Sequence, residues 1–160
     1  MVHVQHLAVK RRNLIGQVAI SELSERLCDN IYATDGYVQI DWQFLPDNKK
    51  RPTISGLVQT QLQMLCQRCL NPVMITVETK VALVIFVDEP SQYEELSPDY
   101  EAIILPDEPV SLLALIENEL ILAMPLVARH EKCPENQFQL QNKIVDEQDE
   151  NPFDILATLK

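Results

Sequence analysis

In the stretch "LQMLCQRCLNPVMI", Cys66 and Cys69 enclose Gln67 and Arg68, and His130 and Cys133 repeat that separation in "PLVARHEKCPENQ". Thiolates and imidazoles are the donors that tetrahedral zinc prefers, and a Cys-x-x-Cys loop between antiparallel strands lets both sulfurs face one ion. Cys66, Cys69, His130 and Cys133 together would make a Cys₃His site with zinc as the expected metal and a structural role. Leu70 stands where a zinc knuckle often has glycine. The other reading of the same residues is a strand connection that carries ordinary thiols. A redox pair is the weaker third, because a reactive Cys-x-x-Cys gains its thiolate at a helix N-terminus, and here the flanks read as strands. Cys28, on an apolar helical face, reads as core packing.

Other chemistries find little footing. The three histidines are His3, His6 and His130, and no serine or cysteine stands in a nucleophile elbow. With three glycines in the chain there is no glycine-rich phosphate loop. Glu117 and Glu119 share a helix but not a face, so they do not form a carboxylate pair. Glu119, among apolar neighbours, reads as a satisfied ion with Arg68 as a candidate partner.

Charge is distributed unevenly. The net charge is −11, which opposes non-specific attraction to a polyanion. Residues 1–80 nevertheless carry nine Lys/Arg against seven Asp/Glu, and residues 81–160 four against seventeen. The basic residues of the first half cluster at Lys10-Arg11-Arg12 and Lys49-Lys50-Arg51. With Arg68, and with Tyr37 and Trp42 as aromatic neighbours, they are the candidate RNA contacts. Trp42 shares a strand face with Ile40 and Phe44 and reads as core. The acidic second half suits a basic protein, or serves only solubility.

The elements that must position these residues follow from periodicity. At 160 residues and 46 % hydrophobic, the chain reads as a single domain, 1–160, with enough apolar surface for a core. Spacing predicts a short helix over 17–29 on Val18, Ile20, Leu23, Leu27 and Cys28, with Ser21 and Ser24 as capping residues near its start. Strict alternation predicts strands over 37–45, 53–65 and 73–87, joined by the turn "PDNKKRP" and the cysteine loop. The last, apolar on both faces in "VALVIFV", should lie centrally in the sheet. Residues 88–110 are acidic and proline-rich and read as an irregular loop broken by "AIIL". Ser111 and Pro125 bracket the strongest helix, 111–124, with Leu112, Leu115, Ile116, Glu119, Leu122 and Ala123 on one face. A polar acidic tail over 134–150 precedes "NPFDILATL", a terminal helical turn capped by Asn151 with Pro152 in first position. The expected class is α+β, an antiparallel meander with a barrel-like option, packed against one long helix and short terminal helices. No apolar run reaches the roughly 18–20 residues of a membrane span. The basic residues near the N-terminus follow an apolar stretch, the reverse of a secretory signal. A cytoplasmic location is expected.

Three segments, "LCQRC", "SLLALIENELILAMPLVARHEKC" and "NPFDILATLK", occur in the order in which they occur in the bacterial YceD family, the large ribosomal RNA subunit accumulation proteins, which the chain resembles along most of its length. The resemblance implies a part in synthesis, processing or stability of 23S ribosomal RNA and no catalytic residues. Some relatives carry more cysteines after the long helix, as in the second half of a zinc site, where this chain keeps His130 and Cys133. The expectation is therefore a non-enzymatic ribosome biogenesis factor whose partner is a large-subunit RNA precursor or an early basic ribosomal protein. No membrane or small-molecule substrate is expected. The alternatives are a metal-dependent RNA-processing enzyme, which needs an open metal position, and an adaptor that binds protein alone.

Overall fold

The computed structural model describes residues 1–87, 98–105 and 109–134. Met1–His130 form one compact unit; residues 131–160 group separately and are described only at 131–134. The elements are α1 (Val4–Val9), β1 (Asn13–Ala19), a 3₁₀ turn (Ile20–Glu22), α2 (Glu25–Cys28), β2 (Tyr37–Pro46), β3 (Pro52–Leu65), β4 (Pro72–Phe86), β5 (Glu101–Ile104) and α3 (Leu112–Ala123).

Period-two sequences make β2, β3 and β4. Val38, Ile40, Trp42 and Phe44 are all buried on β2, while Tyr37, Gln39, Asp41 and Gln43 between them are exposed. Side chains alternate across a strand, so the three strands bury one common face. The core on that face collects Trp42, Phe44, Ile54, Val58, Leu62, Val77 and Val81 from the sheet with Ile20, Leu27, Leu115, Ile116 and Leu120 from the helical layer. The β3–β4 hairpin is long, with thirteen residue pairs from Thr53–Val84 to Leu65–Pro72. It spans about 40 Å from end to end at roughly 3.3 Å per residue.

The sheet has the order β1-β2-β3-β4-β5 and remains open, so it is not a barrel. Nor is it wholly antiparallel: β5 joins β4 in parallel, Leu83 opposite Glu101 through Phe86 opposite Ile104. A parallel neighbour needs a crossover of a dozen or more residues, and residues 87–100 separate these two strands. The apolar "AIIL" inside the supposed acidic loop is thus a strand. It makes the second half of β4 an interior position, as its two-sided hydrophobicity requires. The rest of the acidic tail, from residue 135, and the terminal turn at 151–159 lie outside the described residues.

Two further expectations change. The helix expected over 17–29 is only α2, four residues long, capped by Ser24, whose Oγ accepts from the Arg26 N–H at 3.3 Å. Val18 instead belongs to β1, and Ile20 to the 3₁₀ turn. Strand, turn and helix in succession happened to place apolar residues at helix-like intervals. The helix after Ser111 does form, with Ser111 Oγ accepting from Ala114 N–H, but at twelve residues it is of ordinary length. Its buried residues are Leu115, Ile116, Glu117 and Leu120, whereas Leu122 is exposed.

Glu117 is the buried carboxylate of that helix, not Glu119. Its Oε2 accepts from the Ser24 N–H at 3.2 Å and its Oε1 from the Ser24 hydroxyl. A carboxylate bonding the N-cap N–H is half of a capping box, here supplied from a different helix. Glu119 is half-buried; burial, then the neighbouring Glu101, push its carboxyl above the usual range.

Candidate functional site

The turn between β3 and β4 is built to hold thiols. Leu70 N–H donates to the Cys66 carbonyl at 2.8 Å, and Cys66 N–H to the Asn71 carbonyl at 3.0 Å. Leu70 closes the turn at φ +58, the left-handed conformation that glycine adopts most easily. Its side chain is 70 % exposed, so the glycine expected at this position is replaced at a conformational cost and without a packing gain. The segment after α3 is tied to the turn by Gln67 N–H donating to the Ala128 carbonyl at 2.9 Å. This backbone bond brings His130 to the turn.

Cys66 and Cys69 are both buried. Cys69 Sγ lies 3.4 Å from His130 Nδ1, and His130 Nε2 lies 3.0 Å from the Pro72 carbonyl oxygen. A carbonyl only accepts, so Nε2 carries a proton and donates, and Nδ1 is the ring nitrogen that faces the thiols, available to a metal ion when it is unprotonated. The donor atoms of Cys66, Cys69, His130 and Cys133 all lie within 4.8 Å of one another. A tetrahedron with metal–sulfur bonds near 2.3 Å and a metal–nitrogen bond near 2.0 Å has edges of about 3.5–3.8 Å, and the Cys69–His130 separation of 3.4 Å lies just below that range. Burial pushes the Cys66 thiol up, but the backbone N–H groups of His130, Cys69 and Arg68 and the His130 side chain outweigh it and bring Cys66 down to about 5. The sulfur thus sits where a thiolate is the favoured form. The cluster could hold a metal ion, and with four protein donors it leaves no position for an activated water.

The basic candidates divide between the two ends of the sheet. Lys10, Arg11 and Arg12 follow α1 and are exposed; the Arg12 carbonyl accepts from Phe44 N–H at 2.9 Å. This places them beside the last residues of β2, where the β2–β3 turn carries Lys49 and Lys50, also exposed. Asp47 organises that turn: its Oδ1 accepts from the N–H groups of Lys49 and Arg51, both at 2.8 Å, and its Oδ2 from Arg51 Nε at 2.7 Å. Burial raises the Asp47 carboxyl, but these bonds with Arg51 and Lys49 hold it below its ordinary value. Arg51 is therefore committed to the turn, and its guanidinium lies 5.3 Å from the centre of the Phe86 ring. Arg68 belongs to the other end, exposed on the cysteine turn with Nη2 at 3.5 Å from the His130 carbonyl. It is not the partner of Glu119. Trp42 is fully buried and offers no stacking platform, while Tyr37 is 60 % exposed.

Sequence reasoning passed over the glutamines of the sheet. Gln39, Gln43, Gln59, Gln61 and Gln63 were visible as the polar half of each alternation, and only the strand register shows that they share one face.

Fold and cluster define a two-layer α+β protein, an open mixed sheet with helices on one face and a Cys₃His cluster at one end, buried at Cys66 and Cys69 and half-buried at His130 and Cys133. Among the described residues no helix is long and apolar enough to cross a membrane. The family model for "Large ribosomal RNA subunit accumulation protein YceD" matches residues 54–160. The chain is 32 % identical to the Haemophilus influenzae protein of that name over 163 aligned positions, covering 96 % of this chain and 90 % of the relative. The chain belongs to the YceD family. No solved structure matches it.

Proposed function

We propose that the protein is a ribosome biogenesis factor that supports accumulation of large-subunit ribosomal RNA by binding, not by catalysis. The relative's name concerns that RNA, and the family is named as an accumulation factor. The observation that carries the RNA reading is the meeting of Lys10, Arg11 and Arg12 with Lys49 and Lys50 at one end of the sheet, in a chain of net charge −11. A concentrated cationic end gives phosphates a place to dock while the acidic remainder limits non-specific retention.

Zinc in the Cys66, Cys69, His130, Cys133 cluster would fasten the β3–β4 turn to the segment after α3, a structural duty. An RNA-processing metalloenzyme would need an open coordination position, which this donor set does not supply.

The test replaces Lys49 and Lys50 by glutamate and leaves Arg51, which the turn requires. Recovery of large-subunit precursor RNA with the tagged protein is expected to fall, and recovery by the wild type to decline with salt. Unchanged recovery would remove the RNA part of the reading, and salt-insensitive association would point to a protein partner. For the metal, elemental analysis of untagged protein is expected to give about one zinc per chain, lost in Cys66→Ser, Cys69→Ser.

A further inference from the structure

The sheet face opposite the helices bears a set of side chains that neither the cluster nor the basic end accounts for. Strand register arranges them in rows. Gln17, Gln39, Gln59 and Glu78 stand side by side across β1 to β4. Two residues nearer the basic end come Ile15, Asp41, Leu57 and Lys80, and then Asn13, Gln43, Ser55 and Ala82. In the other direction Gln61 pairs with Thr76 and Gln63 with Met74. Two adjoining hollows of about 530 and 540 Å³ open on this face and share Gln17, Gln39 and Gln59. Tyr37 and Met74 line the first hollow and Ile15 the second, all three more than half exposed.

A face that only meets water is usually rich in lysine and glutamate. This one carries seven side-chain amides against Asp41, Glu78 and Lys80. An amide offers two donors and an acceptor without charge, the pattern needed to meet the edges of nucleobases. Flat side chains such as Tyr37 serve as stacking platforms for unpaired bases. The charge that a nucleic acid also requires is supplied at the margin, since the Asn13–Gln43–Ser55 row adjoins Arg12 and the Lys49-Lys50 turn.

We infer that the open amide face is a binding surface for single-stranded RNA, with bases laid on the Gln17–Gln39–Gln59 row and Tyr37, and phosphates led toward Arg11, Arg12, Lys49 and Lys50. The inference rests on the RNA reading above and adds to it the form of RNA and the residues that meet its bases. A duplex does not fit, because its base faces are stacked inside the helix, out of reach of Tyr37, and its major-groove edges lie too deep for side chains to read. Rows repeat about every 6.7 Å along the strands, so five rows span about 27 Å. That length accommodates a few nucleotides, as do other sheet platforms with sites of roughly 4–16.

The experiment is fluorescence anisotropy on the full chain with a labelled 12-nucleotide RNA of mixed sequence, single-stranded or annealed to its complement, over a salt series. Two variants are compared with wild type: Tyr37→Ala, Gln39→Ala, Gln59→Ala on the face, and Lys49→Glu, Lys50→Glu at the margin. Preference for the single strand is expected. The face variant is expected to bind about 10-fold or more weakly with the wild-type salt slope, because it loses stacking and base contacts only. The margin variant is expected to bind with a shallower slope. Should the margin variant lose binding while the folded face variant keeps it, the inference falls and the RNA reading stands. Should the wild type bind neither RNA, both fall. A face variant that keeps RNA but loses a ribosomal protein from pull-downs would make the surface a protein site and overturn the inference. If the triple variant does not fold, photocrosslinking of a 4-thiouridine-substituted strand to the wild type decides: adducts are expected on the peptides that contain Tyr37 and Met74, and adducts confined to other elements would refute the assignment.

Discussion

Replacing Glu117 by alanine probes how the helical layer is held together. Both carboxylate oxygens are used by Ser24, one by its N–H and the other by its hydroxyl, and Glu117 is 4 % exposed. Hydrogen bonds to a charged acceptor each contribute about 1.5–3 kcal/mol, so losing two sets an upper bound of about 6. Two effects reduce this. Ser24 is exposed, so water replaces part of what it loses, and alanine ends the cost of holding a carboxylate away from water. The expected net loss is about 2 kcal/mol, a fall in Tm of about 6–8 °C for a unit of this size. Urea unfolding can be followed through Trp42, which is the only tryptophan and is fully buried. Glu117→Gln, which keeps one acceptor oxygen, should lose about half as much. In a double-mutant cycle Glu117→Ala and Ser24→Ala should couple by about 1–2 kcal/mol. A Glu117→Ala protein within about 0.5 kcal/mol of wild type, or strictly additive mutants, would refute the cross-helix cap.

Three further outcomes follow from the same structure. Gly56→Ala should cost about 3 kcal/mol or more, or prevent folding, because a Cβ there would lie 1.9 Å from the Asp41 carbonyl oxygen at φ +149; a denaturation curve superimposable on wild type would contradict it. Glu119→Gln should raise Tm at pH 7. The raised carboxyl of Glu119 binds its proton more tightly in the folded than in the unfolded state, so the wild type loses stability as pH rises from its ordinary value of 4.5 through the raised one. The variant's advantage should therefore grow across that window and vanish below it, and a difference flat from acid to neutral pH would count against this assignment. At Leu70, a β-branched side chain is strained at φ +58, so Leu70→Val should melt below Leu70→Gly; the reverse order would mean that the side chain packs.

Much of the sheet could be read in advance because a half-buried strand repeats every two residues. Tyr37 to Phe44 and Val73 to Val81 obey that rule almost without interruption. The Cys₃His cluster was legible for a similar reason, since donor type and spacing are local properties. What joins its halves is not local: the Gln67–Ala128 backbone bond involves no distinctive side chain. β1 escaped because its apolar residues merged with those of the 3₁₀ turn and α2 into a helix-like series. The parallel placement of β5 depends on a crossover that four apolar letters cannot announce. Glu117 and Glu119 exchanged roles because a difference of two residues on a nearly all-apolar helix is decided by its neighbours, Ser24 in one case and Glu101 in the other.

The cysteine turn also bears on how the chain reaches its fold. A slip of one residue between β3 and β4 would turn every side chain of one of the two strands to the opposite face, placing the glutamines of β3 in the core or the valines of β4 in water. The turn residues 66–71 are the most local part of this pairing, and local contacts form early. A hairpin that zips from this turn starts in the one alignment that puts Leu62 and Val58 inward. Besides bracing the finished protein, the turn is then a starting point from which about 40 Å of sheet is measured out correctly, up to the distant lysines.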